Sequence, residues 1–216
     1  LPLRRLRPGI PRSPRLPSGR RSPRRQLARL HAPGKAHPQA LERASAIKML
    51  VLDVDGVLTN GQVFFGPDGK EMLKGFDIQD GYGIQLLQSI GISCAVITGR
   101  HSKMVLARCD ELHIKHVFTG VKDKNTALEE LLKRINLKAS ELAIMGDDWP
   151  DLAILLRAGL RLAPAQAHQE VCQIAHYITH AKGGYGAVRE VCDLILKAQG
   201  HYDELLLSAK GLPTTS

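Results

Sequence analysis

The chain has 216 residues, 44% of them hydrophobic but only 4% aromatic, which is room for one sizeable core of aliphatic side chains. No apolar run approaches the roughly 18 residues that cross a bilayer, so no membrane partner is expected. The net charge of +9 is concentrated in residues 1–45, which hold 12 Lys/Arg and one acid, Glu42, while the rest carries 18 basic and 20 acidic groups; that near-neutral body argues against a nucleic-acid-binding domain.

Eight of the twelve prolines lie in the first 38 residues, interleaved with arginines. Such a stretch cannot bury enough apolar surface to offset its ordering entropy, and residues 1–45 are expected to be a disordered basic tail. Three readings compete: translation assigned from too early a start, an inert solvated extension, or an arm that binds nucleic acid. No continuous apolar segment follows the arginines, so a secretory signal is not expected.

From Ala46 the pattern changes. Ile47–Val54 is a short apolar run ended by Asp-Gly and reads as a buried strand. Gln62–Phe65 and Lys70–Phe76 flank the turn Gly66-Pro67-Asp68-Gly69, which predicts a hairpin. Gly81–Ile90 reads as a helix, Ile92–Ile97 as a strand, Ser102–Leu112 as a helix, His116–Phe118 as a strand and Lys124–Ile135 as an amphipathic helix. Leu142–Met145 is another strand, followed by a helix over Pro150–Ala158 with proline in its first turn and Gly159 just beyond it. Strands at Leu160–Ala163 and His176–Thr179 precede a long helix over Gly186–Gln199, and residues 206–216 are expected to be a tail. Alternation at this spacing predicts an α/β fold, its mostly parallel sheet covered on both faces. Cys94, Cys109, Cys172 and Cys192 show no metal-site spacing, so free thiols in a reducing, cytoplasmic setting are expected.

Four polar clusters follow strands or open helices, where open α/β sheets bind ligands. Asp53 and Asp55, at i and i+2, leave an apolar strand on one side. Two like charges placed together call for a cation, and Mg²⁺ suits carboxylate and phosphate oxygens. Asp55-Gly56 alone is equally well a strand-ending turn; Asp53 tilts the balance toward a site. Thr98-Gly99-Arg100 offers a hydroxyl, an open backbone N–H and a guanidinium to a phosphate, although on this evidence Thr98 reads better as the cap of the next helix. Lys122 reads as a solvated surface residue. Lys124, in the first turn of its helix, has the wrong sign for the helix dipole, so surface and anion-binding readings stand level. Asp147, Asp148 and Asp151 surround a helix start, more acids than capping requires.

Taken in order, D-x-D-G-V (Asp53–Val57), T-G-R (Thr98–Arg100), D-K (Asp123-Lys124) and G-D-D-x-x-D (Gly146–Asp151) resemble the four motifs of the haloacid-dehalogenase superfamily. The short gap between the first two motifs resembles the capless subclass. The runs from Phe76 to Gly83 and from Gly183 to Asp193 are similar to its sugar-acid phosphate phosphatases. The resemblance covers about residues 46–205 and implies a Rossmann-like doubly wound sheet with a β-hairpin insertion after the first strand and no cap domain.

It further implies a Mg²⁺-dependent phosphatase working through an aspartyl phosphate on an eight-carbon sugar-acid phosphate, a lipopolysaccharide precursor. Asp53 is then the nucleophile and Asp55 the general acid and base, while Thr98, the Gly99 backbone and Lys124 hold the phosphoryl group. Mg²⁺ falls to Asp53, the Asp55 carbonyl and Asp147, with Asp148 and Asp151 supporting. The loop Asp77, Ile78, Gln79, Asp80 and Gly81, with Arg100 and Arg108, meets the sugar. A homotetramer is implied, residues 183–189 of one subunit reaching an adjacent site.

Gln79, Gln85 and Tyr185 stand where the pattern favours basic residues, which keeps a nine-carbon sugar-acid phosphate as an alternative. A non-catalytic tetramerising domain is the other; four intact charged motifs argue against it. His176 and His180 lie in a strand-like run, which disfavours a metal, and Trp149 reads as helix-start packing.

Overall fold

The computed structural model describes residues 38–213. Its main sheet has six parallel strands in the order β5-β4-β1-β6-β7-β8: β1 (Met49–Leu52), β4 (Ser93–Ile97), β5 (His116–Phe118), β6 (Leu142–Met145), β7 (Leu160–Ala163) and β8 (Tyr177–Ile178). β2 (Phe64–Phe65) and β3 (Glu71–Leu73) form a separate antiparallel hairpin with a register irregularity between Phe64 and Phe65. The helices are α1 (Pro38–Ser45), α2 (Ile78–Ser89), α3 (Lys103–Glu111), α4 (Lys124–Ile135), α5 (Leu152–Leu155), α6 (Gln169–Ile174), α7 (Ala187–Ala198) and α8 (Tyr202–Ala209).

Each central strand is short and apolar because both its faces are covered. In β1 the alternation sends Leu50 and Leu52 into one core and Met49 and Val51 into the other. The first core is closed by Ile84 and Leu87 of α2 and by Val188, Val191, Cys192 and Ile195 of α7. Ala127, Leu128 and Leu131 of α4, with Ile154 and Leu155 of α5, close the second. Burying each such aliphatic side chain is worth about 1.5–3 kcal/mol. Among the described residues there is no cap domain between β1 and β4 beyond the hairpin.

Several expectations are corrected. Residues 38–45 are not tail: α1 buries Ala40 and Ala44, one helical turn apart, and Gln199 Nε2 donates to the Ala44 and Ile47 carbonyls at 3.0 and 2.8 Å. The rest of the expected tail, 1–37, lies outside the described residues. At the other end, α8 runs across the boundary expected after residue 205.

Residues 77–81 are a helix start and not a hairpin loop, because the Asp77 carboxylate accepts from the Gln79 and Asp80 N–H groups and caps α2 three residues earlier than expected. Thr98 caps nothing, since α3 begins only at Lys103, after Ser102. The helix expected over Pro150–Ala158 is divided into a 3₁₀ turn, Trp149–Asp151, and the short α5. All four cysteines are free, three of them buried.

Candidate active site

The sheet reverses its strand order at β1 and β6, and the acids collect at the carboxyl ends of those two strands, where an α/β crevice opens. Beyond Leu52 the Asp53 N–H donates to the Met145 carbonyl at 3.1 Å, which ties the two strand ends together. A wide turn over Val54–Leu58 follows, kinked at Gly56, whose φ is +91°. Only glycine fits there: an added Cβ would lie 2.0 Å from Asp147 Oδ2. The D-x-D-G sequence therefore lets the β6 acid approach the β1 turn.

Oxygens of Asp53, Asp147 and Asp151 lie within 4.8 Å of one another. Lys124, nearly buried at the start of α4, is 2.7 Å from Asp53 Oδ1 and 2.6 Å from Asp151 Oδ1. Its unfavourable place on the α4 dipole is thus offset by two carboxylates, and the surface reading of Lys124 is set aside. Asp151 also accepts from the Asp147 and Asp148 N–H groups at 3.2 and 3.5 Å, which shapes the loop. Asp148 is exposed and caps the 3₁₀ turn through the Trp149 N–H at 2.8 Å. Asp148 thus supports the loop from outside the acid cluster, while Asp151 lies within it.

Burial, reinforced by the Asp151 charge and opposed by Lys124, pushes Asp53 up to about 6. Asp147 rises to about 7 through burial and the charges of Asp53 and Asp151. Burial pulls Lys124 down, but the two flanking carboxylates more than offset it and hold the ammonium above its usual range. Three carboxylates against one ammonium leave a deficit of positive charge at a set of hard oxygen donors. A divalent cation with oxygen preference fits that deficit.

Asp55 sits two residues along the turn. It pairs with Lys74, just beyond β3, and lies 3.6 Å from Arg100 Nε. Lys74 is also 2.8 Å from Glu71. Neither Lys74 nor Glu71 carries a motif signal, and the sequence offers only an acid and a base three residues apart in an otherwise exposed strand. Thr98 is buried at the end of β4; its N–H donates to the Phe118 carbonyl at 2.9 Å, and its hydroxyl accepts from the Arg100 N–H at 3.5 Å.

Asp77, Ile78 and Gln79 line a cavity of about 570 Å³ together with Asn60, Gly184 and Tyr185. Asp80 and Gly81 do not join them. Asp80 is buried, its carboxylate accepting from the Arg189 N–H at 2.7 Å, and Gly81 is packed against Arg108. Arg108 in turn donates to the Asp77 carbonyl at 3.2 Å and pairs with Glu111, so it secures the start of α2.

Gly183 and Gly184 pack on this chain's own Val54–Leu58 turn, the Gly184 N–H donating to the Val57 carbonyl at 3.1 Å. An added Cβ at Gly183 would meet the Gly56 carbonyl oxygen at 1.9 Å. Gln166, which no motif marks, clamps the pair by donating to the Gly56 carbonyl at 2.6 Å and accepting from the Gly183 N–H at 2.9 Å. His176 and His180 engage Arg161 and Glu190 instead of a shared site. Trp149 donates to His168 Nδ1 at 3.0 Å.

A model of the haloacid dehalogenase-like hydrolases matches residues 117–190. The 3-deoxy-D-manno-octulosonate 8-phosphate phosphatase of Salmonella typhimurium is 43% identical over 171 residues, 79% of this chain and 90% of its own length. The chain belongs to the haloacid dehalogenase-like hydrolase family. Solved structures agree with the fold of this hydrolase. The phosphatase of that name from Yersinia pestis superposes with a TM-score of 0.75 at 43% identity, over 77% of this chain and 89% of the other. That from Moraxella catarrhalis, solved in complex with magnesium ion, phosphate ion and a KDO molecule, gives 0.77 at 42% identity, over 80% and 99%.

Proposed function

We propose that this hydrolase is a Mg²⁺-dependent phosphatase that converts 3-deoxy-D-manno-octulosonate 8-phosphate to 3-deoxy-D-manno-octulosonate and phosphate, a step in lipopolysaccharide precursor synthesis. The observation that carries the reading is the cluster of Asp53, Asp147 and Asp151 with Lys124 between two of them, beside an ion-paired Asp55. The substrate assignment is supported by the names of relatives that match over most of their length.

In the first step an Asp53 oxygen attacks phosphorus, and the bond from phosphorus to the sugar oxygen breaks. Asp55 gives its proton to that oxygen, leaving an aspartyl phosphate and a free sugar acid. In the second step water attacks phosphorus and passes a proton to Asp55 as the bond to Asp53 breaks. Lys124, the Thr98 hydroxyl and the Gly99 N–H serve the phosphoryl oxygens, each such donor being worth about 3–4 kcal/mol in the transition state. Asp53, the Asp55 carbonyl and Asp147 would hold Mg²⁺, which when bound adds positive charge beside the phosphoryl group. The cavity beside Asn60, Gln79 and Tyr185 would take the sugar acid, and Arg100, which lies beside Asp55, would meet it from the acid's side.

A homotetramer belongs to the same proposal. Phe64, Phe65, Met72 and Leu73 of the hairpin are 45–65% exposed, an apolar surface suited to burial between subunits. The free cysteines and the sugar-phosphate substrate accord with a cytoplasmic enzyme. Phosphate release from a panel of sugar phosphates, with and without Mg²⁺, tests the assignment. The eight-carbon acid should give the highest kcat/KM, above its nine-carbon counterpart, and absence of Mg²⁺-dependent release from every member would refute the reading.

A further inference from the structure

The ion pair beneath Asp55 carries an inference that rests on the phosphatase reading and deepens it. We infer that Lys74 is a positioning residue, a buried ammonium that anchors one oxygen of the Asp55 carboxyl so that the other faces the departing sugar oxygen. Lys74 bonds Asp55 Oδ1, whereas the cation beside Asp55 Oδ2 among the described residues is Arg100, its Nε farther off at 3.6 Å. No described backbone N–H donates to the Asp55 side chain, whose backbone is extended (φ −77°, ψ 114°) beside the kink at Gly56. The turn itself therefore does not orient the acid; the hairpin does.

Lys74 cannot act by touching substrate. Its side chain is 1% exposed, and its ammonium is already shared between Asp55 and Glu71. A buried cation is tolerated because those acids pair with it. Arg100 lies 3.8 Å from Glu71, so two cations and two acids form a balanced group that holds each member in place. Any effect of Lys74 on the reaction must pass through Asp55. A proton donor matters most where the leaving oxygen is a poor leaving group, as in a sugar alkoxide, and least for nitrophenolate, which departs without a proton.

The test compares kcat/KM for the best sugar phosphate and for p-nitrophenyl phosphate, with Mg²⁺, in wild type, Lys74→Met and Lys74→Arg. This parameter reports steps up to aspartyl-phosphate formation, where the leaving group still differs. Lys74→Met keeps most of the stem's packing and should lose roughly tenfold or more on the sugar phosphate beyond its loss on the aryl ester, a share of the ~10²–10⁴-fold that proton transfer supplies. Lys74→Arg should recover most of that difference. Because both substrates are measured on one preparation, the ratio does not depend on the fraction that is folded. An equal loss on both esters would overturn the inference and leave Lys74 as a hairpin anchor. Wild type inactive on both would instead refute the phosphatase reading, and the inference with it.

Discussion

Lys124 holds the charge balance of the site, and its removal has two separable consequences. The Lys124→Met variant leaves Asp53 and Asp151 facing each other without their shared cation. Breaking a buried pair of this kind costs about 3–5 kcal/mol, so melting in metal-free buffer should fall by many degrees. With Lys124 serving the phosphoryl group as proposed, the variant should also lose about 10²–10³-fold in kcat. An unchanged melting temperature would contradict the pairing. Asp80 supplies a second residue-scale prediction. Burial raises its carboxyl from 3.8 to about 6, with backbone N–H groups of the α7 start opposing. The folded state therefore keeps this proton after the unfolded chain has lost it. The stability gained is complete below about 3.8 and disappears as pH rises through about 6. Asp80→Asn, which cannot ionise, should gain stability relative to wild type between pH 4 and 7, by up to roughly 3 kcal/mol in urea unfolding. A difference independent of pH would refute this. At this scale the sequence was informative where an acid or cation stood at a strand end or helix start, as with Asp53, Asp147 and Lys124. It was silent on Lys74 and Gln166, whose partners are set only by tertiary packing.

The elements that were legible are those whose own residues decide them. Four-residue apolar runs buried on both faces made β1 and β6 legible, and α4 matched residue for residue because Asp123 caps it and its apolar face is regular. The α2 start was obscured by Gly81 and Gly83, poor helix formers that are present for packing. An added Cβ at Gly83 would lie 3.1 Å from Cys192 Cβ on α7. α1 was hidden by its composition, since two alanines make a weak apolar stripe after a proline-rich stretch. Its role is testable by truncation. Removing residues 1–37 should leave phosphate release and melting temperature unchanged. Removing residues 1–46 should lower the melting temperature by several degrees, because it exposes the α7 surface covered by Ala40 and Ala44. Equal stability of the two truncations would show that α1 contributes nothing.

Across the whole molecule, parallel pairing of β1 with β6 in register, Leu52 opposite Met145, converts two distant motifs into one acid cluster. That convergence could be anticipated from the rule that α/β sheets bind at strand carboxyl ends; the hairpin's grip on Asp55 could not, because it depends on where a two-stranded ribbon folds back. The raised carboxyls of Asp53 and Asp147 mean that protons and a divalent ion compete for the same oxygens. Mg²⁺ should therefore raise the melting temperature more at pH 8 than at pH 5.5, and equal increments would argue against these acids as its ligands. The most direct test concerns the atom that receives the phosphoryl group. Wild-type enzyme mixed with Mg²⁺ and 3-deoxy-D-manno-octulosonate 8-phosphate, quenched in acid during turnover and analysed by peptide mass spectrometry, should carry a phosphoryl group on Asp53. Rapid turnover with Asp53 unmodified, or undiminished phosphate release by Asp53→Asn, would contradict the account.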